Sequence, residues 1–161
     1  MDFDVIKLRY HYIKLLNENG IVAIFEKNWI HQHNVKYNMY CMLGLPEECI
    51  SPSVSDSNED SIQFVKVKSI LIFVEYLENP PDNIERTRNP RFMGKLHPKF
   101  SLSSISGMSG CPIFGLFGNP LKYHIVAIQS SWIREKRITF GCPIPTLANL
   151  ITQIIDNLND H

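Results

Sequence analysis

The chain has 161 residues, of which 44% are hydrophobic and 20% are charged, and this is typical of a single globular domain. Sixteen basic residues balance sixteen acidic ones, which argues against a nucleic-acid partner, because such a partner needs a basic surface to neutralise its phosphates. No run of 18 or more apolar residues occurs, so we expect no transmembrane helix and no membrane partner.

The N-terminal third of the chain predicts short elements. Residues 3–8 are typical of a short strand. Next, Tyr10, Ile13 and Leu16 would share one face of a helix that Gly20 would end, although the pattern there is ambiguous.

The middle of the chain is dominated by strand signals. Residues 21–25 are a short apolar run and are expected to be buried. Residues 37–45 predict a strand, and residues 62–77 give the strongest strand signal, because β-branched and aromatic residues dominate them. Between these strands, residues 51–61 are polar and rich in serine and aspartate, and they predict a flexible loop.

The C-terminal half predicts irregular chain, then strands, then a helix. Residues 84–100 are basic and contain prolines that forbid a long helix, and residues 101–109 predict a tight loop. Apolar residues at helical spacing predict an amphipathic helix over 146–158. Three further strands are predicted, at 111–117, 123–130 and 138–140.

Cysteine usage indicates a reducing compartment. The four cysteines are too few and too scattered for a disulfide framework, and the acidic N-terminus lacks the features of a secretory signal, so a cytoplasmic location is predicted. A zinc site formed by Cys41, Cys49 and His97 is disfavoured because no Cys-x-x-Cys pair exists. We therefore expect no metal and no cofactor.

The stretch 107–112, Gly-Met-Ser-Gly-Cys-Pro, carries the chemical signal. It places Ser109 between small neighbours on a tight turn, where backbone N–H groups can approach a substrate carbonyl. Two converging N–H groups form an oxyanion hole. A hydroxyl is a poor nucleophile alone, so a histidine base and an orienting acid are also required. A phosphate-binding loop is excluded because no lysine follows the serine.

This stretch resembles the nucleophile loop of trypsin-like (chymotrypsin-fold) serine peptidases, whose usual form is Gly-x-Ser-Gly-Gly-Pro, so Cys111 departs from the pattern at one glycine. Residues 125–132 are similar to the family's strand that lines the specificity pocket and pairs with the substrate backbone. The chain from Pro145 onward resembles the family's C-terminal helix. Residues 40–46 are similar to a strand end of bacterial-type members, and residues 4–8 to the strand that carries the catalytic aspartate.

The resemblance implies an all-β fold: a trypsin-like β-barrel of the C-terminal type followed by a C-terminal α-helix, with residues 1–161 as one peptidase-like domain. It implies that Ser109 is the nucleophile, that the N–H groups of Gly107 and Ser109 form the oxyanion hole, and that Asp4 orients a histidine.

The resemblance also implies the positions of substrate-contacting residues. Ser103, six residues before Ser109, would lie at the floor of the specificity pocket. Gln129, Ser130 and Ser131 would belong to the pocket strand, with Ser130 supporting the triad acid.

The order of the triad residues along the chain leaves the catalytic histidine without a match. The family's triad runs His, Asp, Ser along the chain, whereas all six histidines here follow Asp4. The barrel that carries the catalytic histidine is therefore expected to be missing and to be supplied by a partner domain, and an apolar surface lined by residues 21–25 would be exposed. His97 and His124 are candidate substitute bases.

Two functions follow. The first is a serine endopeptidase-like domain that acts on peptide or protein substrates through Ser109 once a histidine is supplied. The alternative is a catalytically inactive peptidase-like module that binds an extended peptide or protein segment by strand addition.

Overall fold

Antiparallel strands dominate the molecule. The computed structural model describes residues 8–21, 23, 26–28, 35–54, 63–82, 84 and 90–159. Its strands and helices are β1 (Met39–Gly44), β2 (Ile50–Val54), β3 (Gln63–Val67), β4 (Ile70–Tyr76), β5 (Phe92–Leu96), β6 (Pro112–Phe117), β7 (Lys122–Ile133), β8 (Ile138–Pro143), α1 (Tyr10–Glu18) and α2 (Ile144–Asn159).

Six of the strands close into a barrel in the order β1-β4-β5-β8-β7-β6, and every neighbouring pair is antiparallel. The hairpin β2–β3 forms a separate two-stranded sheet inserted between β1 and β4. Without this hairpin, β1, β4 and β5 follow one another and β6 returns to pair with β1, which is a Greek-key arrangement. Closure pairs both edges of each strand over much of its length and so limits exposed edges.

The core fills the interior of this barrel. Met42 on β1, Ile72 on β4, and Ile113 on β6 are all 0% exposed. Along β4 buried and exposed residues alternate, as expected for a strand with one face towards a core. Two loop residues, Ile105 and Met108, belong to the same apolar cluster, so the core extends beneath the loop that carries Ser109.

The predicted barrel with a C-terminal helix is confirmed at this coarse level. The strands predicted at 37–45, 111–117, 123–130 and 138–140 are present as β1, β6, β7 and β8. Helix α2 begins two residues before the predicted 146 and packs against β7 and β8. The ambiguous segment after residue 8 forms α1.

Several sequence predictions differ from the structure. The strong signal at 62–77 corresponds to two strands, β3 and β4, which pair with different partners. Residues 84–100 were predicted to be irregular but contain β5. This strand is nearly all buried and therefore lacks alternation, and a Cβ on its Gly94 would lie 2.9 Å from the Phe92 ring. The residues of β5 are closely packed on both faces, so the sequence of this strand shows no alternation of apolar and polar residues.

Other predictions fall partly or wholly outside the described residues. Residues 51–54 belong to β2 rather than to the predicted flexible loop, and 55–61 lie outside the described part. Of the apolar run 21–25, Ile21 and Ala23 are exposed rather than buried, and the other three residues are not described. Of the predicted strand 3–8, only Leu8 belongs to the described residues. No helix in the described ranges combines the length and the apolar character needed to cross a membrane.

Adjacent residues on β4 test the assignment of the barrel interior. We expect Ile72→Ala to lower the free energy of unfolding by about 2–5 kcal/mol, because it opens a cavity at a fully buried position. Leu71→Ala, on the opposite face and 49% exposed, should cost about 1 kcal/mol or less. Urea denaturation measures both, and equal losses would contradict the barrel's inside-outside assignment.

Candidate functional site

Two consecutive β-turns form the serine loop, residues 105–111. The N–H of Met108 donates to the carbonyl three residues earlier at 3.2 Å, and the N–H of Cys111 does the same at 3.0 Å. Gly107 and Gly110 hold the third position of each turn with φ of 85° and 87°. The second position of each turn has negative φ, so both are type II turns, which favour glycine at the third position. The predicted tight turn is confirmed.

The first turn directs the N–H of Gly107 away from Glu47. The carbonyl of Ser106 accepts a hydrogen bond from the backbone N–H of Glu47 at 2.8 Å. The Ser106–Gly107 peptide is trans. Because C=O and N–H lie on opposite sides of a planar trans peptide, the N–H of Gly107 points away from Glu47.

The second turn fixes the direction of the Ser109 N–H in the same way. The carbonyl of Met108 is occupied by the Cys111 N–H, so the Ser109 N–H, on the far side of that peptide, points out of the turn. Among the described residues, no acceptor pairs with the N–H of Gly107 or Ser109, and none pairs with the Ser109 hydroxyl, whose residue is exposed. The loop therefore offers two free backbone donors and a free hydroxyl within three residues.

Met108 anchors the serine loop to the barrel. It is 1% exposed, and a Cβ on Gly44 would lie 2.8 Å from its terminal methyl group. Glycine at position 44 lets this side chain approach the end of β1 closely, and a larger residue there would require Met108 to shift. The sequence pattern Gly44-Leu45-Pro46 was interpreted as a strand end, and its glycine also accommodates the loop.

The backbone of Gln129 on β7 holds the other side of the loop. The N–H of Gly110 donates to the Gln129 carbonyl at 2.9 Å, and the N–H of Gln129 donates to the Cys111 carbonyl at 2.9 Å. The predicted pocket residue Gln129 is 3% exposed, and its Oε1 finds no hydrogen-bond partner among the described residues. It lies immediately beside the loop that carries Ser109.

Beyond Gln129, no strand of the described residues pairs with the β6 side of β7, and the 3-10 helix Glu26–Asn28 also contacts β7. Strand β6 begins at Pro112, which pairs with Ile128, whereas β7 continues to Ile133. Residues 131–133 pair with β8 on one side, and in the described ranges no strand covers their other side. The predicted substrate-strand residues Ser130 and Ser131 lie here, at a β-bulge, and the Ser130 hydroxyl donates to a β8 carbonyl at 3.4 Å. An open strand edge next to Ser109 can accept an extended peptide.

Ser103, the predicted pocket floor, is exposed and bonded to Glu48. Its hydroxyl donates to one carboxylate oxygen of Glu48 at 3.2 Å, and the N–H of Ser104 donates to the other at 2.9 Å. Sequence analysis missed Glu48, because 55 residues separate it from Ser103 and nothing in the pattern pairs the two segments.

The candidate catalytic partners of Ser109 are not gathered around it. Asp4 lies outside the described residues. His124 is bonded to the Tyr37 hydroxyl at 2.9 Å, and burial lowers the pKa of its imidazole. It lies four residues along β7 from Ile128, about 13 Å at the rise of a strand.

His97 is also engaged elsewhere. Its Nδ1 accepts from the N–H of Lys99 at 3.3 Å, and it lines an open cavity of about 560 Å³ with Met39 and Phe73 on the outer face of β1 and β4. Neither His97 nor His124 has Ser109 as a hydrogen-bond partner.

The cysteines are packing groups in this structure. All four are free thiols, and burial raises the pKa of Cys111 to about 11. A protonated, buried thiol is inert as a nucleophile and as a metal ligand. Cys111, at the end of the serine loop, therefore packs in the core. Within the described ranges, no three His, Cys, Asp or Glu side chains form a potential metal site.

Comparisons with protein-family models, with curated proteins and with solved structures found no match for this chain. Its function is therefore argued from the geometry of the serine loop and the β7 edge.

The two loop glycines give a matched test of the turn geometry. Gly110→Ala meets open space and should cost only the left-handed strain of about 1–2 kcal/mol. Gly107→Ala adds a Cβ 3.1 Å from the Glu47 nitrogen and 3.3 Å from the Leu45 carbonyl, and it should cost more. Urea denaturation compares them, and a Gly107→Ala variant as stable as wild type would be incompatible with this turn.

Cysteine labelling tests the burial of the thiols. Iodoacetamide at pH 8 should modify the half-buried Cys49 first, and Cys111 only after unfolding, because its raised pKa and burial keep the thiolate fraction very small. Peptide mass spectrometry with and without urea measures the order. Labelling of native Cys111 at the rate of Cys49 would contradict the packing role.

Proposed function

We propose that this chain is a serine endopeptidase-like domain of the trypsin-like type, in which Ser109 is the acyl-transfer nucleophile. The observation that carries the proposal is the pair of unpaired N–H groups, on Gly107 and Ser109, at a tight turn beside the open edge of β7. Acyl transfer needs fixed donors where the oxyanion develops and a means of aligning the substrate backbone.

In the proposed reaction, an extended substrate adds as a strand to the β7 edge and delivers a carbonyl to Ser109. The hydroxyl oxygen attacks the carbonyl carbon while a histidine takes its proton. The N–H groups of Gly107 and Ser109 stabilise the tetrahedral oxyanion. The C–N bond then breaks, the histidine returns its proton to the leaving amine, and water hydrolyses the acyl-serine by the same steps.

The general base is the component that the described residues do not supply. Asp4 would orient the base, and Ser130 would support that acid. Since His97 and His124 are engaged elsewhere, the histidine would come from residues beyond those described or from a partner domain. The absence of a described base at Ser109 is the observation that favours the second candidate, a peptide-binding module without catalysis.

A peptide boronate tests the assignment of Ser109 and its donors. In acetyl-trialanine ending in a boronic acid, boron can bond to the serine oxygen while the hydroxyl proton passes to the buffer. One boronate oxygen of this anionic tetrahedral adduct would occupy the oxyanion site. We expect the boronate peptide to bind at least tenfold more tightly than the same peptide ending in a carboxamide, because the anionic oxygen of the adduct accepts more strongly from these donors than the neutral carboxamide oxygen does. Fluorescence anisotropy with labelled peptides measures both affinities.

Ser109→Ala should abolish the advantage of the boronate and leave carboxamide binding unchanged. Equal affinities of the two peptides for wild type would contradict the proposed nucleophile. An N-methylated carboxamide peptide, which cannot complete the strand hydrogen bonds, should bind more weakly if the β7 edge is the docking surface.

A fluorophosphonate probe tests the state of the base. We expect no rapid labelling of the purified chain, because an unassisted hydroxyl stays protonated and loss of a triad member leaves only about 10³–10⁴-fold catalysis over water. Rapid labelling of wild type that vanishes in Ser109→Ala would show that the chain itself supplies a base.

A further inference from the structure

A short turn before β2, residues 46–49 and here called the Pro46 turn, makes three contacts with the serine loop and with the chain that leads into it. The Glu47 N–H bonds the Ser106 carbonyl at 2.8 Å, and the Glu48 carboxylate accepts from the Ser104 N–H at 2.9 Å and the Ser103 hydroxyl at 3.2 Å.

The Pro46 turn is itself fixed to the core. Pro46 is fully buried, and its carbonyl accepts the Cys49 N–H at 2.8 Å, which closes the turn. The turn follows directly from β1, whose Gly44 packs against Met108 of the serine loop. It therefore offers the loop a rigid support rather than a mobile contact.

The Ser106–Gly107 peptide has two accessible orientations. Type I and type II turns share their end points and differ chiefly by rotation of the central peptide through about 180°. Glycine at the third position permits both, since it adopts φ on either side of zero. In the type I state, the Ser106 carbonyl would occupy the oxyanion site and the Gly107 N–H would face Glu47, so one of the two free donors would be lost.

Resting on the proposed function, we propose that the Pro46 turn selects the orientation of this peptide, with the Glu47 N–H as the selecting donor and Glu48 as a positioning residue. The Glu47 N–H stabilises the type II state, because it needs the Ser106 carbonyl as its acceptor; in the type I state it would face another donor. Glu48 ties Ser103 and Ser104 to the same turn and so keeps the carbonyl within reach.

Glu47→Pro removes the selecting donor together with the Glu47 side chain. Pro46 has φ −61° and ψ 141°, a conformation suited to a residue before proline, and position 47 begins a 3-10 helix, where proline is tolerated. Glu47→Ala is the matched control, because it removes the same side chain and keeps the N–H.

The readout is the ratio of the boronate affinity to the carboxamide affinity, which a general loss of stability would not change selectively. We expect Glu47→Pro to lower this ratio at least tenfold, as for loss of one oxyanion donor. Glu47→Ala should leave it within about twofold of wild type.

Glu48 supplies a second, independent pair of variants. Glu48→Ala should lower the ratio about threefold to tenfold, since hydrogen bonds of ordinary strength are lost. Glu48→Gln, whose amide can accept from the Ser104 N–H, should restore most of it. This rescue separates positioning from bulk destabilisation.

The outcomes separate the two proposals. A wild-type ratio well above one that is unchanged in Glu47→Pro and Glu48→Ala would overturn the role of the Pro46 turn and leave the proposed function standing. A wild-type ratio of one would overturn both. If Glu47→Pro fails to fold, the Glu48 pair decides, and equal ratios for Ala and Gln at this position would overturn the inference.

Discussion

The backbone of Gln129 is the point on which the geometry of the candidate site depends. Its N–H and C=O bond to Cys111 and Gly110, and these contacts extend the β6–β7 pairing past the start of β6. The same stretch of β7 then continues past the end of its pairing with β6, where no other described strand pairs with it on that side. One strand therefore both fixes the loop that carries Ser109 and provides the open edge where a peptide can align.

The pairing of the backbone groups in the serine loop determines which of its N–H groups are available to a ligand. Gly107 and Ser109 are exposed, and their N–H groups pair with no acceptor among the described residues. Here the carbonyls on the far side of both peptides are occupied, by Glu47 and by Cys111, and the N–H groups are thereby directed outwards. In the proposed function, an anionic tetrahedral centre would accept from both donors.

The endopeptidase proposal and the peptide-binding alternative share this geometry and differ only in the base. His124 is held by Tyr37 within an aromatic cluster, and burial favours its neutral form. The Nδ1 of His97 accepts a hydrogen bond from the backbone N–H of Lys99. A serine with donors but no base can bind a substrate carbonyl without cleaving it at a useful rate.

The sequence predicted those parts of the fold whose signals are local. The apolar runs of β6, β7 and β8, the period of α2 and the glycines of the serine loop each follow from nearby residues. Strand β5 was missed because nearly all of its residues are buried and Gly94 weakens its strand propensity. Glu48 was missed because its contacts join segments 55 residues apart, and such pairings arise only from the closed barrel.

Amide NMR spectra of the chain, recorded with and without the peptide boronate, test the central claim most directly. The account predicts that the Gly107 and Ser109 amide protons shift together on binding, since both donate to the adduct oxygen. The Gly110 and Cys111 amides, already bonded to the Gln129 and Met108 carbonyls, should change much less. A bound boronate that leaves the Gly107 and Ser109 amides unshifted would contradict the assignment of these two groups as the oxyanion donors.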